Sequence, residues 1–162
     1  MTMLNRIIGV EIRKLHEIYF KKSLGINAFI STSILSRREM YKINKIYRGK
    51  SKSTDILSFP STLTFEEHQN ALKEQYLNQI VYKRHDKIQF GHIVICPDVI
   101  ISRIVRNSRS DSGIVMKSKI RRLLIHAFAH LCNLDHHTLL EHFIMRRFEL
   151  ELLTKIMRKE VK

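Results

Sequence analysis

The chain has no tryptophan, two prolines, five glycines and two cysteines in 162 residues. Each scarcity excludes something. Cys96 and Cys132 are not at C-x-x-C spacing, so neither a disulfide framework nor a cysteine-rich zinc ribbon is available, and a reducing compartment fits. Hydrophobic runs are short. None approaches the roughly 18 residues that read as a membrane span. The first residues lack a signal-peptide core, being interrupted by Arg6 and Glu11, and are expected to belong to the fold. Acid is also scarce: 15 Asp and Glu stand against 29 Lys and Arg, a net charge of +14. So strong an excess points to a phosphate polymer as partner: RNA, DNA or a ribonucleoprotein surface.

What is abundant is histidine, and three of the nine fall in one short segment, Leu-Ile-His-Ala-Phe-Ala-His-Leu-Cys-Asn-Leu-Asp-His. His126, His130 and His136 are spaced H-x3-H-x5-H. On a helix, residues four apart lie one turn apart on the same side, so His126 and His130 can grip one ion. Asn133 is a plausible helix stop because asparagine tolerates the left-handed conformation, and the following turn would deliver His136. Three protein ligands leave a coordination position open, as in a catalytic zinc site. Cys132 projects elsewhere on the helix and reads as a small buried residue. Ala127 occupies the position where an H-E-x-x-H peptidase carries its general base, which argues against that chemistry.

Periodicity places these residues on elements. Helices are expected over about 4–22, 36–47 (capped by Ser36, with Met40, Ile43 and Ile46 inward), 97–106, 116–132 and 138–158 (with Leu140, Ile144, Phe148 and Leu152 as a ladder). Strands are expected over 26–34, 56–59 and 88–96. Residues 48–53 form a basic loop and 107–113 another loop. Residues 61–87 read as a long polar excursion, partly helical near 65–77. The whole, 1–162, is read as one α+β domain, a small sheet covered by helices with the metal cleft at the histidine-bearing helix.

Three ordered motifs then point to a family. His-Ala-Phe-Ala-His-Leu-Cys-Asn-Leu-Asp-His (126–136) resembles the H-G-x-L-H-L-x-G-Y-D-H signature of the YbeY family of bacterial rRNA-maturation endoribonucleases. Tyr47-Arg48-Gly49-Lys50 followed by Thr54-Asp55-Ile56-Leu57-Ser58-Phe59-Pro60 is similar to its Y-R-G-K and T-D-V-L-S-F-P segments, and Gly91-His92-Ile93-Val94-Ile95-Cys96 to its G-D-I-V-I-C strand. Met145 and Glu149 match its C-terminal helix, so the likeness spans roughly 36–153. Departures are Ala127 and Asn133 for glycines, Ala129 for leucine, Leu134 for tyrosine and His92 for aspartate.

The resemblance implies a mixed sheet of about four strands and one zinc-like ion on His126, His130 and His136, with other transition metals also compatible with three imidazoles. It implies cleavage of single-stranded RNA, notably 16S rRNA near its 3′ end, in rRNA maturation and ribosome quality control in the cytoplasm. Arg48 matches the family's functional arginine and is expected to clamp a phosphate. Asp135 is expected either to orient a ligand histidine or to cap the turn, and His92 to donate a hydrogen bond or ligate at the site. Thr54 and Asp55 are expected to fix the loop presenting Arg48. Lys50, Lys52, Arg121 and Arg122 are candidate backbone-phosphate contacts. Phe59 and Phe90 are expected in the core rather than against bases. The competing reading is a ribosome- or RNA-binding protein whose ion site no longer cuts.

Overall fold

A computed structural model describes residues 3–24, 28–60, 88–107 and 113–160. The proposed excursion at 61–87, its helical stretch at 65–77 and most of the 107–113 loop lie outside the described residues.

The expected α+β architecture is what folds. In chain order come α1 (Met3–His16), a π-helical segment (Glu17–Leu24), β1 (Ala28–Ile34), α2 (Arg37–Arg48), β2 (Ile56–Pro60), β3 (Ile88–Ile95), α3 (Pro97–Asn107), α4 (Gly113–Leu131) and α5 (Leu139–Glu160). The helix expected over 4–22 is thus α-helical only to His16, then widens. The described residues hold three strands rather than about four, in the order β1-β3-β2. β3 is central, parallel to β1 and antiparallel to β2, so the sheet is mixed.

The two faces of the sheet bury different partners. One face carries Ile93 and Ile95 against Leu15, Phe20, Ile120, Leu124, Phe128 and Ile156, the main core beneath α1, α4 and α5. The other carries Leu57 and Val94 against Met40 and Val99, a smaller cluster beneath α2 and α3. Strand alternation accounts for the split. A register shift between Phe29 and Ile30 leaves Phe90 extra on β3, so Phe90 and Ile93 both reach the main core. β3 lies close against α4 at Gly91: a Cβ there would stand 2.8 Å from Leu131 Cδ2 and 3.0 Å from the Phe59 carbonyl oxygen.

Local signals set the helix ends. Ser36 and Glu39 form a reciprocal capping box at α2, and Gly49 closes it at φ 64°. Thr138 and Glu141 do the same for α5, with Thr138 N donating to Glu141 Oε2 at 2.8 Å and Glu141 N to Thr138 Oγ1 at 3.2 Å. α4 ends in a Schellman turn: Leu134 N donates to Ala129 O and Asn133 N to His130 O, both at 3.1 Å, with Asn133 left-handed at φ 56°.

Two expected stripes are corrected. Ile46 is 75% exposed, and Asn44 is buried in its place. Steps of three residues under-rotate a helix by about 60° each, so Met40 and Ile46 face directions about 120° apart. Leu140 and Ile144 are likewise exposed, whereas Phe148 and Leu152 face the core as expected, with Met145 and Ile156 buried beside them. Steps of four over-rotate by about 40° each, so the ladder winds off the core toward its N-terminal end.

A candidate metal centre and its cleft

α4 places His126 and His130 one turn apart at its C-terminal end, and the turn after it returns His136 to the same point. The two Nε2 atoms of His126 and His130 are 3.3 Å apart. One ring nitrogen from each of the three histidines lies within 4.8 Å of the others. Tetrahedral zinc with bonds of about 2.0–2.1 Å requires nitrogen pairs about 3.3–3.4 Å apart, so the His126–His130 pair already has the separation. The donor set, three neutral imidazoles, fits zinc, nickel, cobalt or copper.

The surroundings of His130 favour its neutral, lone-pair-bearing form. Burial, reinforced by the neighbouring His126, holds the pKa of His130 below the ordinary imidazole value. His126 Nδ1 is 2.8 Å from Glu149 Oε1, and Glu149 in turn accepts from Arg146 Nη1 at 3.1 Å. The sequence matched Glu149 to a helix but gave it no role; its spacing from His126 is non-local and no local pattern flags it.

Asp135 sits in the turn between the second and third histidines. Its Oδ1 accepts from His136 N at 2.8 Å and its Oδ2 meets His137 Nε2 at 3.0 Å, while His136 Nδ1 is 4.0 Å from Oδ1. The His136 amide, followed by the adjacent histidines, holds this carboxyl below its usual range. Of the two roles expected of Asp135, the turn-fixing hydrogen bond is the one formed.

The triad opens into a cleft of about 790 Å³ that runs along the edge strand β2 to the C-terminal end of α2. Arg48 lines it together with His126, His130 and His136. The loop behind Arg48 is pinned from both sides. Asn44 is 2% exposed, donates from Nδ2 to Lys52 O at 2.6 Å, and accepts at its backbone oxygen from Lys50 N at 3.3 Å. Asp55 accepts at Oδ1 from Ile56 N and Thr54 Oγ1, both at 3.1 Å, and at Oδ2 from Arg103. Arg103, which the sequence did not single out, is a second arginine on the cleft wall. Lys50, Lys52 and Arg122 are exposed but are not lining residues of the cleft. Phe59 packs half-buried against the smaller core cluster and meets Tyr47 edge-on at 5.0 Å on the cleft wall, and Phe90 is buried in the main core.

Two expected site residues lie elsewhere. Arg121 is buried, donating to both Glu11 oxygens at 2.6 and 3.2 Å and to Glu160 at 2.6 Å, so it has no face for a phosphate. The helical stripe explains this: Arg121 follows the core residue Ile120 and points between α1 and α5. His92 does not line the cleft. Gly91 faces α4, so alternation turns His92 to the opposite side, where Ser31 Oγ meets Nδ1 at 2.8 Å and Ser33 Oγ meets Nε2 at 3.0 Å. Both ring nitrogens are occupied there.

Among the described residues, no helix is long and apolar enough to cross a membrane. The family model described as Endoribonuclease YbeY matches residues 7–157. A relative named Endoribonuclease YbeY from Leptospira interrogans is 32% identical over 121 residues, covering 74% of this chain and 81% of its own. One of the same name from a Thermoanaerobacter strain is 27% identical over 158 residues, covering 94% and 92%. In solved structures, the solution structure of TM1509 from Thermotoga maritima superposes with a TM-score of 0.59 at 18% identity, covering 98% of this chain and 87% of that one, a likeness of fold.

Proposed function

The chain belongs to the Endoribonuclease YbeY family, and from that premise we propose a metal-dependent, single-strand-specific endoribonuclease that acts in the cytoplasm on rRNA, at the 3′ end of 16S rRNA, in ribosome maturation and quality control. Family membership makes the chain an endoribonuclease with RNA as its substrate. The finer reading is supported by one observation above the rest: Arg48 and the three histidines, from separate segments of the chain, line one cleft.

His126, His130 and His136 would hold the ion, zinc in this reading. Bound there, it supplies Lewis acidity toward a phosphate oxygen and activates water. The chain's own residues do the rest. Arg48 presents a planar fork suited to two phosphate oxygens and offsets the charge that develops as the phosphodiester is attacked. Asn44 and Asp55 keep its loop in place through the hydrogen bonds above. Asp135 fixes the turn that brings in His136. Lys50, Lys52 and Arg122 extend a positive surface for the flanking backbone. The cleft walls are partly apolar through Phe59 and Leu123, which suits unpaired bases better than a rigid duplex. His92, which stands where the family has an aspartate, lies outside the cleft, so that departure gives no support to a non-cleaving ion site.

The test is cleavage of a short RNA of 16S 3′-end sequence, single-stranded and as a duplex, with the same sequence as DNA. The wild-type protein is expected to cut only the single-stranded RNA, and Arg48→Ala to lower the rate by about 10²–10³-fold, as loss of one preorganised donor does elsewhere. Equal cutting of duplex and single strand, or an Arg48→Ala rate equal to wild type, would contradict it.

A further inference from the structure

We infer that Glu149, steadied by Arg146, is the positioning residue that fixes the tautomer and orientation of His126 for ion binding. The inference rests on the reading of the histidine triad as a metal site.

His126 Nδ1 lies 2.8 Å from Glu149 Oε1. The His126 Nε2 atom is the one that faces His130, 3.3 Å from its counterpart. The two nitrogens of an imidazole point in nearly opposite directions. A carboxylate on Nδ1 therefore stands behind the ring, as an outer partner of the ligand rather than as a fourth ligand. Consistent with that, the cluster able to share an ion contains the three histidines without Glu149.

An ionised carboxylate has no proton to give, so the hydrogen in the His126–Glu149 bond sits on Nδ1. This leaves the lone pair on Nε2, aimed at the centre of the triad. A carboxylate behind the ring also makes that lone pair a stronger donor, the arrangement in which most metal-bound histidines are held.

Glu149 is itself held. Its side chain is 15% exposed, and its second oxygen accepts from Arg146 Nη1 at 3.1 Å, one turn earlier on α5. With one oxygen on the histidine and the other on the guanidinium, the carboxylate plane is set. Arg146 is half exposed, so its contribution is orientation more than strength. α5 is anchored separately by Met145, Leu152 and Ile156, so truncating Glu149 leaves the packing of the helix intact.

The experiment uses the full chain stripped of metal with a chelator, as wild type, Glu149→Ala and Glu149→Gln. Nitrogen NMR of the imidazoles at mildly alkaline pH reads the His126 tautomer, and chelator competition reads the affinity for Zn2+. Wild type is expected to hold His126 as the Nδ1–H tautomer. Glu149→Ala is expected to give a tautomer mixture and to bind zinc about 10–100-fold more weakly, the cost usual for losing such a partner. Glu149→Gln retains an accepting oxygen and is expected to keep the tautomer while losing affinity through the missing charge. An Nε2–H tautomer in the wild type, or a Glu149→Ala affinity within twofold of wild type, would overturn the inference. A wild-type protein that binds no zinc would overturn the metal reading instead, and the tautomer comparison would still decide whether Glu149 sets the ring.

Discussion

Arg121 donates from Nε to Glu11 Oε2 at 2.6 Å and from Nη2 to Glu11 Oε1 at 3.2 Å, tying α4 to α1 five residues before the first metal-candidate histidine. Glu160, at the end of α5, accepts from the same guanidinium at 2.6 Å and also pairs with Lys14 and Lys117. The three helices that frame the main core meet at one charge cluster. The Glu11 hydrogen bond, chiefly, raises the Arg121 pKa further.

Removing one member leaves the other, a buried charge, with only a more exposed partner: Lys14 at 3.2 Å for Glu11, Glu160 at 2.6 Å for Arg121. Glu11→Leu or Arg121→Met alone is expected to cost up to about 3–5 kcal/mol, whereas the double variant recovers most of it because neither buried charge then lacks its closest partner. Urea unfolding of the four proteins checks this. Additive losses in the double variant would contradict the pairing.

Stability should also carry a pH signature from Glu160. Hydrogen bonds from Lys14 first, then Lys117 and Arg121, hold its pKa at about 2, well below the ordinary carboxylate value of 4.5. A depressed folded-state pKa contributes stability fully above the unfolded value and loses it as pH falls through the folded one. The difference in melting temperature between wild type and Glu160→Gln is therefore expected to be constant from neutral pH down to about 5, to shrink below about 4.5 and to vanish near pH 2. A difference that persists unchanged at pH 2 would contradict the assignment.

These charges show where sequence reading stops. Arg121 and Arg122 are adjacent and identical in type, yet one is buried between helices and the other exposed. Only the tertiary placement of Glu11 and Glu160 decides which. By contrast the helix caps, the left-handed Asn133 and the strands at β1, β2 and β3 are legible, because each depends on residues within a few positions. The triad was legible for the same reason: H-x3-H is a single helical turn, and the turn at Asn133 is local. Asn44, Arg103 and Glu149 were not singled out because the partners that give them a role, Lys52, Asp55 and His126, lie 8, 48 and 23 residues away in sequence, outside any local pattern. His92 was misplaced by analogy with an aspartate at that position, although strand alternation from Gly91 turns it away from α4.

The exposed cations lend themselves to a salt test. Binding of single-stranded RNA to a non-cleaving His130→Ala protein is expected to weaken with salt, and each of Lys50→Gln, Lys52→Gln and Arg122→Gln is expected to reduce the log–log slope by about 0.7. Unchanged slopes in all three would remove these residues from the RNA path.

The measurement that bears most directly on the whole account is metal content and RNA cleavage on the same preparations of wild type and His130→Ala. Wild type is expected to carry about one equivalent of a transition metal and to cut single-stranded RNA, and the variant to lose both while keeping its fold. An unchanged cleavage rate in His130→Ala, or a wild-type protein that cuts RNA while taking up no ion, would contradict the three-histidine centre on which the reading stands.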